Sequence, residues 1–182
     1  MNKHAYLIMA HNNFHVLKRC MQILDSPRND FYVHIDKKTH NCNLDEIKNY
    51  VSISKVFFIE RQKVYWADFS QTKIELDLLQ RAYEGNDKYT FFYLLSGADM
   101  PIKTEKEIYE FYEAHSKKNY IGIVPRESYY SVRRVKYYHP LLHNSIYRNC
   151  KLLKLSDRVL EYIQKIIGIN RVKDSNLKFY DG

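Results

Sequence analysis

The chain has 182 residues, 45% of them hydrophobic, which is enough for one domain with its own core. Its net charge of +8 points to nucleic acid, an anionic membrane or a phosphorylated ligand, although a coding bias toward Lys, Asn, Ile and Tyr gives the same balance with no such partner. No apolar run is long enough to span a bilayer, the opening MNKHAYLIMA has no small-residue cleavage site and reads as strand rather than signal peptide, and Cys20, Cys42 and Cys150 lack metal-type spacing and fit a reducing compartment.

Strands and helices alternate along the chain. Ala5 to Ala10 is a short apolar run, read as a strand. His11-Asn12-Asn13 is a polar turn, with Asn12 or Asn13 as helix N-cap. Phe14, Leu17, Met21 and Leu24 line one helical face, and Asp25-Ser26-Pro27 stops that helix. Phe31 to Ile35 is a second strand, leaving Asp36-Lys37-Lys38 at its C-terminal end and completing a βαβ unit. A short helix over Leu44 to Val51 leads to a third strand, Lys55 to Glu60. A loop, Val64 to Phe69, carries the single tryptophan, Trp66. Ser70 is then placed to cap a helix whose inner face is Ile74, Leu78 and Ala82, widened by Leu79 and Tyr83.

The stretch from Tyr89 to Tyr112 reads as the organising element. Phe91 to Leu95 has the look of a buried, central strand. Ser96-Gly97 ends it in a tight turn, with Gly97 leaving room for close backbone approach, and Asp99 and Pro101 follow. Thr104 and Glu107 have capping-box spacing, and Ile108, Phe111, Tyr112 and His115 recur at helical period. Beyond it, Tyr120 to Val124 reads as a further strand. Residues 125–150 collect Arg126, Arg133, Arg134, Lys136, His139 and His143 among tyrosines. Lys151 to Ile167 is an amphipathic helix with Leu152, Leu155, Val159, Tyr162, Ile163 and Ile166 on its apolar face. That stripe either faces the core or, with its lysines, rests on an anionic membrane. The alternation predicts an α/β domain, with a mostly parallel sheet flanked by helices.

In such a sheet, ligands bind at the C-terminal strand ends, so His11, Asp36, the Trp66 loop and Asp99 are expected to line one crevice. G-x-G-x-x-G, the P-loop and the G-x-S-x-G elbow are all missing, which disfavours dinucleotide binding, P-loop chemistry and an α/β-hydrolase. An Asp-x-Asp pair, the usual clamp for a divalent ion on a nucleotide diphosphate, is also missing.

HAYLIMAHNN, FYVHIDKK, VYWADFSQ and YLLSGADMPIKT fall in order, and together they resemble the core-2/I-branching β-1,6-N-acetylglucosaminyltransferase family, which includes the peptide xylosyltransferases. The resemblance covers residues 4 to about 115 well and the rest more loosely. It implies a GT-A-like, Rossmann-like fold and inverting transfer of a sugar, such as N-acetylglucosamine, from a UDP-sugar to a glycan hydroxyl. No metal or cofactor is implied. By position, it places Met9, Ala10 and His11 at one UDP-contacting segment, Asp36, Lys37 and Lys38 at another, Trp66 at the nucleotide and Asp99 beside the donor sugar. It also implies a second half, beyond Gly182, holding the glutamate general base and the basic pair that grips the diphosphate. The chain is thus expected to be one incomplete transferase domain, with residues 1–124 as the nucleotide-sugar half and 125–182 as a basic extension.

Each residue also has a structural reading. Asp36 either binds ribose or uracil or forms an Asx-turn, and Asp99 either binds a sugar hydroxyl or holds its own turn. Lys37 and Lys38 either supply potential to a diphosphate or are simply solvated. His11 either donates to a ligand or is satisfied by local backbone. Met9 and Ala10 reach a ligand only through their backbone. Trp66 either stacks on uracil or plugs the core. Arg126, Arg133, Arg134 and Lys136 either grip an acceptor or form a solvated basic face. The expected partners are a UDP-sugar and a glycan acceptor, without nucleic acid, in a cytoplasmic or peripheral-membrane setting. The other function classes are a nucleotide-sugar-binding module without turnover and, last, a basic nucleic-acid binder.

Overall fold

A computed structural model describes residues 2–40, 42–66, 68–85, 87–122, 129–143 and 146–173. They fall into two compact units: Met1–Val64 with Asp68–Lys118, and Tyr65–Ala67 with Asn119–Gly182. The first unit runs β1 (Lys3–Ala10), α1 (Phe14–Ile23), β2 (Asn29–Ile35), α2 (Leu44–Lys48), β3 (Lys55–Phe58), α3 (Phe69–Tyr83), β4 (Tyr89–Ser96) and α4 (Glu105–Ala114). The second holds α5 (Tyr129–Lys136), two 3-10 turns at Pro140–His143 and Tyr147–Asn149, and α6 (Lys151–Ile166).

The four strands form one all-parallel sheet in the order β3-β2-β1-β4. This is the α/β architecture expected from the alternation. The chain steps outward from β1 through β2 to β3, then returns to the other side of β1 for β4. Crossovers keep one hand, so reversing direction along the sheet puts the connecting helices on opposite faces. The cores reflect this. Tyr6, Ile8 and Ala10 of β1 pack with Leu17, Cys20 and Met21 of α1 and Ile47 of α2. Ala5 and Leu7, of the opposite parity, pack with Ile74, Leu78 and Ala82 of α3.

The buried central strands are β1 and β2, not β4. Every residue of β2 is buried, whereas β4 alternates and Leu94 is half exposed. Among the described strands β4 lies at the edge, with a neighbouring strand, β1, on one side only, while α3 packs on one of its faces and α4 on the other. Aromatic enrichment was a misleading guide, because β4 spends its rings on a half-buried face: Tyr93 stacks on Tyr6 and meets Tyr112 edge-on. Three buried polar groups of β2 escaped the apolar-run reading. Asn29 donates to Leu24 O at 2.8 Å. Asp30 takes Lys3 Nζ at 2.7 Å, Tyr89 Oη at 2.8 Å and Lys55 N at 3.1 Å. His34 Nε2 accepts from Gln62 N at 3.1 Å.

Several local expectations change. Asn13 stands at the N-cap of α1 but in the left-handed region (φ 53°), with no side-chain cap. Asp68, not Ser70, caps α3, accepting from Ser70 N at 2.8 Å, because the helix starts two residues earlier than a cap at Ser70 implies. Leu79 and Tyr83 do not widen the inner face of α3; both are exposed, since the sheet contacts only the narrow Ile74–Leu78–Ala82 stripe. Phe111 of α4 is likewise half exposed. The capping box of α4 is present in both directions. Residues 120–122 are not strand; 123–124 and the tail Leu177–Gly182 lie outside the described residues. All three cysteines are free thiols, and burial raises the Cys20 thiol to about 11.

Candidate functional site

The strand order reverses between β1 and β4: the chain leaves β1 for α1 on one face and enters β4 from α3 on the other, and in an open parallel sheet a ligand is expected at the carboxyl ends beside such a reversal. Two backbone bonds fix the rim these ends form. Met9 O accepts from Gly97 N at 2.7 Å, and Ala10 O accepts from Asp36 N at 2.9 Å. The ends of β4, β1 and β2 are thereby held side by side. Gly97 is required by space: a Cβ there would stand 2.5 Å from Ala10 Cβ and 3.0 Å from Ala10 Cα. The side chains of Met9 and Ala10 pack into opposite faces of the sheet, so neither is offered to a ligand, and their carbonyls are already engaged by the rim.

Asp36 emerges at the end of β2 and is 7% exposed. Its Oδ1 accepts from Lys38 N at 2.9 Å, and its carbonyl accepts from Thr39 N at 2.9 Å, so the Asx-turn is realised. Oδ2 is ion-paired with Lys38 Nζ at 3.5 Å. Lys38 Nζ also donates to Val64 O. Lys37 is exposed, with its backbone N–H bonded to Gln62 O at 3.0 Å. His11 is exposed and its ring makes no hydrogen bond among the described residues; its carbonyl accepts from Thr39 Oγ1 at 2.8 Å, which ties the β1 turn to the Asp36 turn.

Asp99 follows the carboxyl end of β4, on the opposite side of β1 from Asp36. Its Oδ2 accepts from Ser96 N at 2.8 Å, and its own N–H donates to Ser96 O at 3.1 Å. The turn-holding reading is therefore realised here too. Oδ1 makes no hydrogen bond among the described residues, on an exposed side chain. Both carboxylates hold a turn with one oxygen; the second oxygen of Asp36 faces Lys38, and that of Asp99 is on an exposed side chain.

Residue-by-residue reading of the sequence missed the groups that brace this rim. Arg61 donates to Ile35 O at 3.2 Å, Asp36 O at 2.9 Å and Thr39 O at 2.5 Å, so one guanidinium clamps the whole loop after β2. His34 lies beneath it, 1% exposed; burial holds its pKa below the ordinary histidine value and so keeps it a neutral acceptor for Gln62 N. A usable signal existed: Arg61 and Gln62 lie three and four residues past the end of β3, and the C-terminal end of every parallel strand belongs to the same rim.

The structure brings His11, Asp36 and Asp99 to three adjacent strand ends. Trp66 groups with the second unit; at 61% exposed it is not a core plug. Arg133 is paired with Glu161, its Nε at 2.5 Å, so it braces α5 on α6. Arg134 is exposed, and Lys136 Nζ lies 5.4 Å from the Tyr137 ring. Arg126 lies outside the described residues. A cavity of about 440 Å³ bordered by Tyr83, Asp87, Tyr89 and Phe92 lies at the amino end of β4, away from this rim.

Comparison with known proteins gives this rim its context. The Core-2/I-Branching enzyme family matches residues 4–157. The chain is 25% identical over 153 residues to a human N-acetyllactosaminide β-1,6-N-acetylglucosaminyl-transferase, covering 82% of this chain and 37% of that protein. It is 24% identical over 176 residues to a bovine β-1,3-galactosyl-O-glycosyl-glycoprotein β-1,6-N-acetylglucosaminyltransferase, covering 87% and 41%. Its human counterpart matches at 29% over 106 residues, covering 57% and 25%. The chain therefore spans about two fifths or less of the length of these relatives. All four sequence motifs, and the sheet they close from His4 onward, fall inside the family match, and the chain belongs to the core-2/I-branching enzyme family.

Proposed function

We propose that this chain is the donor-handling portion of a glycosyltransferase that moves N-acetylglucosamine from a UDP-sugar to a hydroxyl of a glycan. The observation that carries the reading is the rim formed by the adjacent carboxyl ends of β2, β1 and β4, where Asp36 and Asp99 each hold a turn with one carboxylate oxygen and do not use the other in that turn. Asp36 Oδ2 would accept from the ribose or the uracil, and Asp99 Oδ1 from a donor-sugar hydroxyl. Lys37, and Lys38 after releasing Asp36, would supply positive potential toward the diphosphate. His11, with an unengaged ring at the same rim, is a further donor. Trp66 is held as a stacking residue for the nucleotide on its motif position.

Transfer would be inverting: a base removes the acceptor proton as its oxygen attacks the anomeric carbon, and UDP departs toward cationic groups. None of the site residues above is assigned as that base. The resemblance puts it, with the diphosphate grip, in polypeptide beyond Gly182, so these residues act in binding rather than in proton transfer. Metal independence is part of the proposal and rests on the missing Asp-x-Asp pair.

Calorimetric titration of UDP and UDP-N-acetylglucosamine, with EDTA and again with manganese, tests this. Binding is expected to survive EDTA and to weaken for Asp36→Ala and Trp66→Ala. A folded chain that binds neither ligand overturns the assignment of donor handling to these residues, and binding that appears only with manganese overturns metal independence. Binding without turnover, with turnover gained on an extended chain, favours the binding-module reading for these 182 residues alone.

A further inference from the structure

Helix α6 is amphipathic in an unusual sense: its apolar stripe is the side turned to solvent. Leu152, Leu155, Val159, Tyr162, Ile163 and Ile166 are 46–70% exposed, while the buried residues of this helix are Asp157 and Gln164. Of the two readings of this stripe, the core-facing one is not realised. Polar anchors within the second unit fix the roll of the helix. Asp157 Oδ2 accepts from His139 Nδ1 at 3.0 Å and Tyr147 Oη at 3.2 Å. Glu161 takes Arg133. The Gln164 amide accepts from Tyr138 N at 2.8 Å and donates to Tyr138 O at 2.9 Å.

This arrangement sorts the charges of the helix. Both of its carboxylates are spent inward, and Lys151, Lys154, Arg158 and Lys165 remain exposed. At roughly 100° per residue, the six apolar side chains occupy one arc of about 100°, and the four cations fill the arc along one of its borders. The outer surface of α6 is therefore apolar and exclusively positive.

We propose that α6 docks on an anionic lipid surface. Its apolar stripe would lie at the boundary between headgroups and acyl chains, and its cations would meet lipid phosphates. Charge decides for lipid over polypeptide. The cores of protein–protein interfaces are depleted in lysine, and a polypeptide partner would have to supply a row of carboxylates, whereas an anionic bilayer offers negative charge at every position along the helix. No helix among the described residues is long and apolar enough to cross a membrane, so the contact is peripheral. Docking is independent of the transfer chemistry: vesicle binding by a chain that bound no UDP-sugar would leave it standing.

The test is flotation of the full chain with phosphatidylcholine vesicles, with and without phosphatidylglycerol. The expected result is binding to the anionic vesicles only, weakened by salt. Lys154→Glu with Arg158→Glu should lower the partition coefficient by about 30-fold or more, and Leu155→Ser with Val159→Ser should also weaken it. The charge pair is exposed and carries the test even if the serine pair fails to fold, as checked by circular dichroism. Absence from anionic vesicles, equal binding to neutral ones, or binding unchanged by the charge pair would overturn the proposal. So would variants that leave flotation unaltered and change only the oligomeric state by light scattering, which would mark a polypeptide interface.

Discussion

At the residue scale, the two candidate carboxylates do a structural job and keep capacity for a second one, and substitutions can separate the two. Asp36→Asn retains an Oδ1 acceptor for Lys38 N and so keeps the turn, whereas Asp36→Ala loses turn and charge together. The expected outcome is near-normal urea stability for the Asn variant and a loss of about 1 kcal/mol for the Ala variant, with UDP binding weakened in both. Binding by Asp36→Asn equal to that of the parent would leave Asp36 with a purely structural role. Gly97 is tested by overpacking. Gly97→Ala should cost about 1–3 kcal/mol because Ala10 already fills the space. Adding Ala10→Gly should recover part of that loss, and a urea series on the three variants checks it.

At the scale of elements, the local signals that held are those whose partners lie a few residues away. The Thr104–Glu107 capping box is one: Thr104 Oγ1 accepts from Glu107 N at 3.3 Å, and Glu107 Oε2 accepts from Thr104 N at 2.9 Å. Thr104→Ala is expected to cost about 1 kcal/mol, read from the chemical denaturation midpoint. That helix also carries Glu105, which pairs with Arg28, and Glu113, which accepts from His4 Nε2 at 3.0 Å. Glu113 also accepts from Thr90 Oγ1 at 3.2 Å, so α4 ties β4 to β1. An unchanged midpoint for Thr104→Ala would mean that these long-range ties alone hold the helix.

At the scale of the whole molecule, acid should loosen the first unit. Burial lowers the pKa of both His4 and His34 below 6.5, so each stays neutral in the fold: His4 donates to Glu113 and accepts from Tyr93 Oη at 3.0 Å, and His34 accepts from Gln62 N. The unfolded chain binds those protons first. Stability is therefore full above about pH 6.5 and falls as the pH drops below it, toward the lowered folded values. Glu113 adds to the trend at lower pH. The hydrogen bond from His4 lowers its pKa from 4.5, so its contribution is present above about 4.5 and is lost as pH falls through the folded value. The urea midpoint should be lower at pH 5.5 than at pH 7.5, with the difference reduced in His34→Gln. A flat profile would mean that neither imidazole is held neutral.

The amino-acid sequence by itself determined the alternation of strands and helices, the parallel sheet, the strand-end turns at His11, Asp36 and Asp99, and the family motifs. All of these rest on periods and spacings of a few residues, which the backbone reads locally. Tertiary structure alone decided which strand lies at the edge, because Phe91 to Leu95 is as apolar as β1 and only strand order exposes one side of it. It also decided that Arg61 clamps the loop after β2, since its three acceptor carbonyls lie 22 to 26 residues away. The facing of α6 belongs to the same class. Its apolar period is plain in the sequence, but its roll is set by His139, Tyr147, Arg133 and Tyr138 holding its polar side, and no pattern within the helix can say which face its neighbours will take.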